Sequence, residues 1–410
     1  MRICFYTETA LPKLGGQELV IDALARQFLA LGHEPLVLAP PPKRRRVAAH
    51  DAQLPYPVLR HPRFVSTRYF VEWYATFLRR AFRRHAFDVL HCHSIYPCAY
   101  LASLCRDEFG VPLVITSHGG DVHAAGRRLA KPGIPARYER SLAAADALIS
   151  ISKFTTAGYQ RLCPTATTIE AIPNGVDLAP FAQTLARPEQ LSSAIPAGEY
   201  ILFLGRLNRR KGVDVLVDAL AQLPPHLSTP LVIAGDGDER TALAAQCAQL
   251  GLAGRVHFVG AVSGAAKVWL LQNCRFTVIP SRTWEAFPLV VLESFAAGKP
   301  VVGTMIPGLA DLVTPDQTGL LVPPESPTAL AAALAELLSD ESVTHGYGRN
   351  AAQIVQEFDW RHIARQHLDL YSRLRGGGVS ESRSIKSVPQ AMARQSTIMP
   401  SRSDAEFARR

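Results

Sequence analysis

The sequence predicts an α/β chain built from two doubly wound domains that face each other across a cleft. Three observations predict it. Strand-like apolar runs alternate with helical patterns from end to end, the mark of parallel sheets with crossover helices. The alternation falls into two series, separated by a looser stretch, Ala182–Gly198, that contains Pro188 and Pro196. The chain has 410 residues, enough for about two to three ordinary domains.

The first series opens with Ile3–Thr7, which is apolar and β-prone. A loop with Gly15-Gly16 follows, then Gln17–Leu31 with apolar residues at 20, 21, 24, 28 and 31, closed by Gly32. That spacing is one face of a helix, and glycine suits its end. Pro35–Ala39 reads as a second strand, and Val89–His91, Leu113–Thr116, Ala147–Ile151 and Thr168–Ile172 as further ones. The second series runs through Tyr200–Leu204, Leu231–Ala234, Val256–Val259, Phe276–Ile279 and Val301–Gly303. Two segments stand apart. Lys43–Arg46 is a run of four cations after three prolines, and residues 376–410 begin Gly-Gly-Gly and show no periodicity, so a disordered tail is expected there.

Composition narrows the function classes. Hydrophobic residues make up 48% and charged residues 19%, as in a globular protein with a large core. Seven scattered cysteines without a C-x-x-C pair speak against a disulfide scaffold or a zinc site and for a reducing, cytoplasmic setting. No apolar run approaches the roughly 18 residues of a membrane span, and the early Glu8 makes the N-terminus a poor secretory signal. The net charge of +9 suits nucleic acid, an anionic membrane or an anionic substrate.

Candidate chemistry clusters at the carboxyl ends of the expected strands, where open α/β sheets bind ligands. Glu285 lies in the loop after Phe276–Pro280, and Glu293 follows eight positions later. The helix between Pro288 and Gly298 is apolar on nearly every side, with Leu289, Val290, Ala296 and Ala297 as the helical neighbours of Glu293. A carboxylate there is expected to be buried and to need partners: either the hydroxyls of a polar ligand or an ion pair inside the fold. Gly205–Gly212 holds Arg206, Arg209, Arg210 and Lys211, four cations in six residues, which match a diphosphate. A solvated basic turn is the plainer alternative. Gly15-Gly16 opens a helix, whose N-terminus favours an anion, although Gly-Gly also serves ordinary turns.

His118 follows a strand and precedes two glycines, which suits hydrogen bonding to a sugar; a lone histidine is more often structural. His91 and His93 share one face of a strand, and a core or cleft position fits them better than a metal site. Asp236 and Asp238 open a helix and are read as caps rather than metal ligands. Neither G-x-G-x-x-G nor the Walker pattern is present, so a nicotinamide enzyme and a P-loop ATPase are disfavoured.

Taken in order, these pieces resemble the retaining glycosyltransferases of the GT-B fold, specifically glycosyltransferase family 4. The matching segments are Gly15-Gly16, Phe87–His91, His118-Gly119, Pro173–Asp177, Gly205-Arg206-Leu207 with Lys211-Gly212, Gly235–Gly237, Glu285 with Glu293, Ala297–Val302, Pro307-Gly308 and Thr318–Pro323. They span about residues 1–375. The resemblance implies two Rossmann-like domains: 1–180 on the acceptor side and 181–357 binding the nucleotide sugar. A helix at 358–375 crosses back to the first domain, and 376–410 forms the tail.

Residue roles follow from the same resemblance. Gly16 gives its backbone N–H to the donor's distal phosphate, and Arg206 and Lys211 hold the diphosphate. Glu285 binds hydroxyls of the transferred sugar and Glu293 those of the ribose. His118 sits beside the reacting carbon, and Phe287, Pro288 and Leu289 complete the donor set. With cations neutralising the leaving diphosphate, no metal and no cofactor is called for; the nucleotide-diphosphate sugar is a substrate. Asp311 where the family often has Glu, and Pro307 where it has a second glycine, put donor identity in doubt.

The expected activity is retaining, metal-independent transfer of a hexose to a glycan or lipid-linked acceptor, in polysaccharide, lipopolysaccharide or glycolipid synthesis. The donor base (UDP, GDP or ADP), the sugar and the acceptor stay open. Rival readings are an inactive nucleotide-sugar-binding subunit, against which the intact site residues speak, and a nucleic-acid binder, for which no motif is legible. Residues 70–84 carry an apolar stripe (Phe70, Tyr74, Phe77, Leu78, Ala81, Phe82) beside Arg79, Arg80, Arg83 and Arg84. That pattern fits a helix lying on an anionic membrane, peripheral at the inner face, and fits ordinary core packing equally well.

Overall fold

Among the described residues of the computed structural model, all thirteen strands pair in parallel, seven in one sheet and six in another. The structure describes residues 1–42, 47–64, 70–123, 129–165, 168–191, 195 and 198–376. The cationic run Lys43–Arg46 and the tail beyond 376 lie outside the described residues. The chain divides into two units, Met1–Asn174 with Trp360 onward, and Gly175–Asp359. Two parallel-sheet α/β units of this kind are the GT-B architecture.

In the first unit the strands are β1 (Arg2–Tyr6), β2 (Glu34–Ala39), β3 (Val58–Arg60), β4 (Val89–Cys92), β5 (Leu113–Thr116), β6 (Ala147–Ser150) and β7 (Ile169–Ala171). Their order in the sheet is β3-β2-β1-β4-β5-β6-β7. The direction of winding reverses between β1 and β4, and such a switch point is where doubly wound sheets bind ligands. Strand alternation splits the core. Cys4, Tyr6, Leu90, Cys92, Leu113 and Ile115 share one cluster with Tyr74, Leu78 and Ala81 of the helix Val71–His85. On the opposite face Phe5 stacks on Phe28 of the helix Gly16–Ala30, with ring centroids 5.7 Å apart.

The helix Trp360–Arg375 packs on that same face, against the helix Gly16–Ala30. Its Tyr371 is fully buried and its hydroxyl lies 2.7 Å from His91 Nδ1, while His91 Nε2 meets Thr116 Oγ1 at 2.8 Å. Both ring nitrogens of a buried histidine are thereby satisfied. Arg373 pairs with Glu170 and Arg375 with Asp88, so three contacts fasten the chain's return to the sheet it began.

The second unit comprises β8 (Tyr200–Leu204), β9 (Leu231–Ala234), β10 (Val256–Gly260), β11 (Cys274–Ile279), β12 (Val301–Thr304) and β13 (Gly319–Val322). Their order is β10-β9-β8-β11-β12-β13, again with the reversal beside the unit's first strand. The edge strands β3 and β13 are absent from the sequence reading: Val58–Arg60 offers two apolar residues before an arginine, and Gly319–Val322 opens on glycine, a poor strand former.

Most of the apolar stripe of residues 70–84 belongs to the core, whereas its first member, Phe70, is 52% exposed. Tyr74, Leu78 and Ala81 are buried, and Phe82 lies against Phe87 and Phe109 at 5.0 and 4.3 Å. The exposed face of this helix is a different set, Trp73, Thr76, Arg80, Arg83 and Arg84.

Tyr371→Phe strands one buried nitrogen of His91 and is expected to cost about 1–3 kcal/mol. The midpoint of thermal or denaturant unfolding should fall accordingly. An unchanged midpoint would mean that the hydroxyl contributes nothing to fastening the final helix.

Candidate functional site

Each unit gathers its candidate residues at the carboxyl ends of the strands flanking the winding reversal. In the second unit these are β8 and β11. The loop after β8 turns through a short 3-10 segment, Arg209–Lys211, and Gly212 adopts φ +64°. A Cβ on Gly212 would stand 2.1 Å from the carbonyl oxygen of Pro280, so only glycine lets this loop lie against the one after β11. The contact brings Lys211 Nζ to 2.7 Å from Glu285 Oε1.

Glu285 is 7% exposed. Besides Lys211, Ser281 Oγ donates to the same Oε1 at 2.8 Å, and Arg210 approaches it at 3.5 Å. Oε2 accepts no hydrogen bond from the described residues. Burial pushes the Glu285 carboxyl up, but the charges of Lys211 and Arg210 with the bonds from Lys211 and Ser281 outweigh it and hold it below the usual carboxylate value. Lys211 is drawn below the usual lysine value by burial and by Arg210 and Arg206, against the pull of Glu285. The backbone of Glu285 is fixed too. Its N–H donates to Pro307 O at 3.0 Å, and Gly308, at φ +87°, leaves no room for a Cβ over the Glu285 carbonyl. The Pro307-Gly308 segment is therefore a buttress for the carboxylate.

Arg282 ties the two loops further. Its guanidinium donates to Arg209 O at 2.8 Å, grips Asp214 through two bonds at 2.7 and 2.6 Å and reaches Glu325 at 2.9 Å. Its backbone N–H donates to Arg210 O at 2.9 Å. Arg210 donates to Trp284 O at 2.8 Å and lies over the Trp284 ring. Arg206 differs from these: it is exposed and has no ion pair with a described residue.

Glu293 lies on the helix Leu289–Ala296 and pairs with Lys267. Its side chain is 15% exposed, so the expected full burial is not reached, and the partner is a lysine on the helix Gly264–Asn273. The side chains of Phe287 and Pro288 are buried within their own unit, Phe287 beside Phe358, and Leu289 is partly buried. The backbone N–H groups of Phe287 and Leu289 bond to no described residue, which leaves donors at a helix start. Asp236 and Asp238 do not cap. The helix begins at Arg240 with Glu239 before it, and the Asp236 carboxylate instead accepts from Gly237 N–H at 2.9 Å.

In the first unit the ends of β1, β4 and β5 meet. Gly16 begins the helix Gly16–Ala30, and a Cβ on it would touch nothing within 4 Å. On Gly15 a Cβ would lie 2.6 Å from Glu18 Oε2, the tip of a side chain. The buried Glu18 carboxylate occupies the first helical turn with Thr9 Oγ1 and Lys13 Nζ as partners. Gln17 donates to Thr7 Oγ1 at 2.9 Å and to His93 O at 2.7 Å, locking the helix start to β1 and β4.

His118 is partly buried, and its Nε2 lies 2.9 Å from His93 Nδ1. Burial pushes His118 down to about 4, with Glu18 pulling weakly the other way, so the ring is uncharged near neutral pH. Asp121 accepts from Ile95 N–H at 2.8 Å and from Ser117 Oγ, and steadies the loop that carries His118.

Within the second unit the structure brings Lys211 to Glu285, with Arg206 on the same loop, and leaves Glu293 on a separate ion pair. His118 and Gly16 belong to the first unit. Sequence reasoning missed Lys267, Ser281, Arg282 and Trp284. The last three adjoin Glu285 in sequence, which was the available signal; nothing local marks Lys267.

Comparison with known proteins identifies the family. The profile of Glycosyltransferase Family 4 matches residues 14–180, and that of Glycosyl transferases group 1 matches residues 192–354. An uncharacterized glycosyltransferase of Methanocaldococcus jannaschii is 30% identical over 300 residues, 70% of this chain and 75% of that protein. The phosphatidyl-myo-inositol mannosyltransferase of Mycolicibacterium smegmatis is 30% identical over 297 residues, 72% and 73% of the two chains. Among solved structures, Anabaena HepE in complex with UDP is similar in fold, with a TM-score of 0.76 at 23% identity, covering 91% of this chain and all of that one.

The Glu285–Lys211 pair should be visible in acid. The folded-state value of Glu285 lies below its ordinary 4.5. Its stabilisation is therefore complete above that pH and is lost as the pH falls through the folded-state value. Removing one partner of such a pair by Glu285→Gln should cost roughly 3 kcal/mol or more at pH 7. The variant should also lose less stability than the native protein between pH 5 and pH 3. Parallel losses in the two proteins would show that the carboxylate is not held by the pair.

Proposed function

The chain belongs to the glycosyltransferases of family 4, and on that premise we propose that it moves a hexose from a nucleotide-diphosphate sugar to a glycan or lipid-linked acceptor with retention of configuration. The observation that carries the proposal is the buried Glu285, anchored on Oε1 by hydrogen bonds from Lys211 and Ser281 with the Arg210 guanidinium nearby, and with Oε2 unoccupied by any described donor. A carboxylate so held is a preorganised acceptor for sugar hydroxyls, and it needs no reorganisation when the sugar arrives.

Breaking the anomeric C–O bond places negative charge on the leaving diphosphate. Arg206 is exposed and without an ion-pair partner among the described residues, so it is available to that charge. Lys211 supplies a second cation, and the N–H groups at Phe287 and Leu289 supply neutral donors. Glu293 takes the ribose hydroxyls, exchanging part of its contact with Lys267 for them. In the first unit Gly16 offers its N–H to the distal phosphate, in keeping with the open space over it, and His118 serves the reacting carbon as a neutral group. With cations in these positions the reaction proceeds without a metal, and same-face attack lets the leaving phosphate take the acceptor's proton. UDP and UDP-glucose are bound by HepE, which makes UDP-sugars the first donors to try.

The acceptor reading includes an anionic membrane surface at residues 70–84. The supporting observation is the solvent face of the helix Val71–His85. Phe70 and Trp73, at the start of this helix, are 52% and 47% exposed, and Arg80, Arg83 and Arg84, further along it, are exposed as well. Aromatic rings and arginines on one helix suit the headgroup level of an anionic bilayer. Among the described residues no helix is long and apolar enough to cross a membrane.

A donor panel of UDP-, GDP- and ADP-sugars, read by nucleotide diphosphate release with lipid-linked acceptors and excess EDTA, tests the activity. One donor should turn over in EDTA, and Arg206→Ala and Lys211→Ala should each lower that turnover by about 10²-fold or more. Donor binding without any turnover would instead identify a binding subunit, and a strict need for added Mg²⁺ would contradict the metal-free reading. Vesicle sedimentation tests the membrane face. Binding should require anionic lipid, weaken with salt, and drop when Trp73 becomes Ser and the three exposed arginines Gln. Equal partitioning of variant and native protein would end that idea.

A further inference from the structure

His93 is 1% exposed, sits just beyond the end of β4, and takes no part in the chemistry described so far. Its ring is packed between Phe5, His91 and His118, at centroid distances of 5.1, 4.2 and 5.2 Å. Its backbone is pinned on both sides: His93 N–H donates to Tyr6 O at 2.9 Å, and its carbonyl accepts from Gln17 at 2.7 Å. The two ring nitrogens have opposite fates. Nδ1 lies 2.9 Å from His118 Nε2. Nε2 is buried and has no partner among the described residues.

Burial holds both rings uncharged, His93 well below its ordinary value and His118 at about 4. A neutral imidazole carries one N–H, so a single proton lies between the two rings. If His118 donated it, His93 would be left with an orphaned N–H on Nε2. If His93 donates it, the orphan is a bare lone pair. Buried donors without a partner are the rarer and less tolerated of the two. The hydrogen bond on one ring nitrogen decides the protonation of the other.

We propose that His93 is a positioning residue for glycosyl transfer: its Nδ1–H donates to His118 Nε2 and so holds His118 in the tautomer that presents Nδ1–H outward. His118 then meets its substrate as a hydrogen-bond donor of fixed orientation, toward an oxygen of the sugar or of the leaving group. The inference rests on the role of His118 given above. It adds that the role is donation, and that a residue 25 positions upstream sets it.

The experiment uses the full chain with whichever donor the native protein turns over. His93→Phe keeps the ring volume and removes the donor. His93→Asn returns an amide N–H near the place of Nδ1, and His118→Ala is the reference. His93→Phe should lower kcat roughly 10- to 100-fold with donor KM little changed, the scale of losing a group that orients a reacting side chain. His93→Asn should restore most of that loss, while both variants unfold near the native midpoint. In the native protein, nitrogen chemical shifts from ¹⁵N-histidine labelling should assign His118 as the Nδ1–H tautomer. Native turnover in His93→Phe while His118→Ala is impaired would overturn the inference alone. Native turnover in His118→Ala would remove the underlying role and the inference with it. An Nε2–H tautomer of His118 in the native protein would overturn it whether or not any variant folds.

Discussion

A carboxylate buried to 7% exposure, Glu285, and a lysine 2.7 Å away join the loops after β8 and β11. Much of the second unit's ligand edge follows from that pair. The loop after β8 carries Arg206, Arg209, Arg210 and Lys211, and four cations so close repel one another. One carboxylate in their midst makes the arrangement tolerable, because it takes Lys211 and Arg210 on a single oxygen. The glycines at 212 and 308 belong to the same constraint. One lets the cationic loop approach Pro280, and the other lets the Pro307 segment close over the Glu285 backbone. A larger residue at either position would push the two charges apart, and a separated pair of buried charges costs more than it contributes.

The first unit meets the corresponding problem without charge. Its strand ends carry His93 and His118, with His91 one turn of the pleat below, all neutral by burial. Neutral imidazoles are useful only if their protons are placed, and here placement comes from neighbours distant in sequence. Tyr371 and Thr116 engage the two nitrogens of His91. His93 engages His118. The final helix is thus more than a strap over the sheet: its tyrosine closes the lower end of a histidine column whose successive ring centroids lie 4.2 and 5.2 Å apart.

Most of this fold is legible in the chain because parallel sheets buried on both faces demand continuous apolar runs. Among the described residues, eleven of the thirteen strands announce themselves in that way, and the edge strands β3, which ends on Arg60, and β13, which opens on Gly319, do not. Lys211 and Glu285 stand out as candidates in the chain because each lies in a loop after such a run, among residues no core needs. The partners were harder. Lys267 lies 26 residues before Glu293 on a separate helix, and Tyr371 lies 280 residues after His91. Pairs of that kind are created by the winding of the sheet and leave no local pattern. Asp236 misled for a related reason. Aspartate before a helix has a local preference for capping, but here the backbone turns at Gly237 and the helix starts only at Arg240.

The cations of the second unit divide by what holds them. Arg282 is spent on Asp214, Glu325 and the carbonyl of Arg209, and Arg210 on Trp284 and the edge of Glu285. These guanidiniums build the loop, since their donors are already directed at protein acceptors. Arg206 has no such partner among the described residues and faces solvent. Lys211 stands between the two kinds: paired with Glu285, yet destabilised in its charged form by burial and by its cationic neighbours. An incoming dianion relieves that second effect, because it compensates Arg206 and Arg210 as well as Lys211. Under the proposed function, binding of the donor's diphosphate and the ionisation of Lys211 would favour each other.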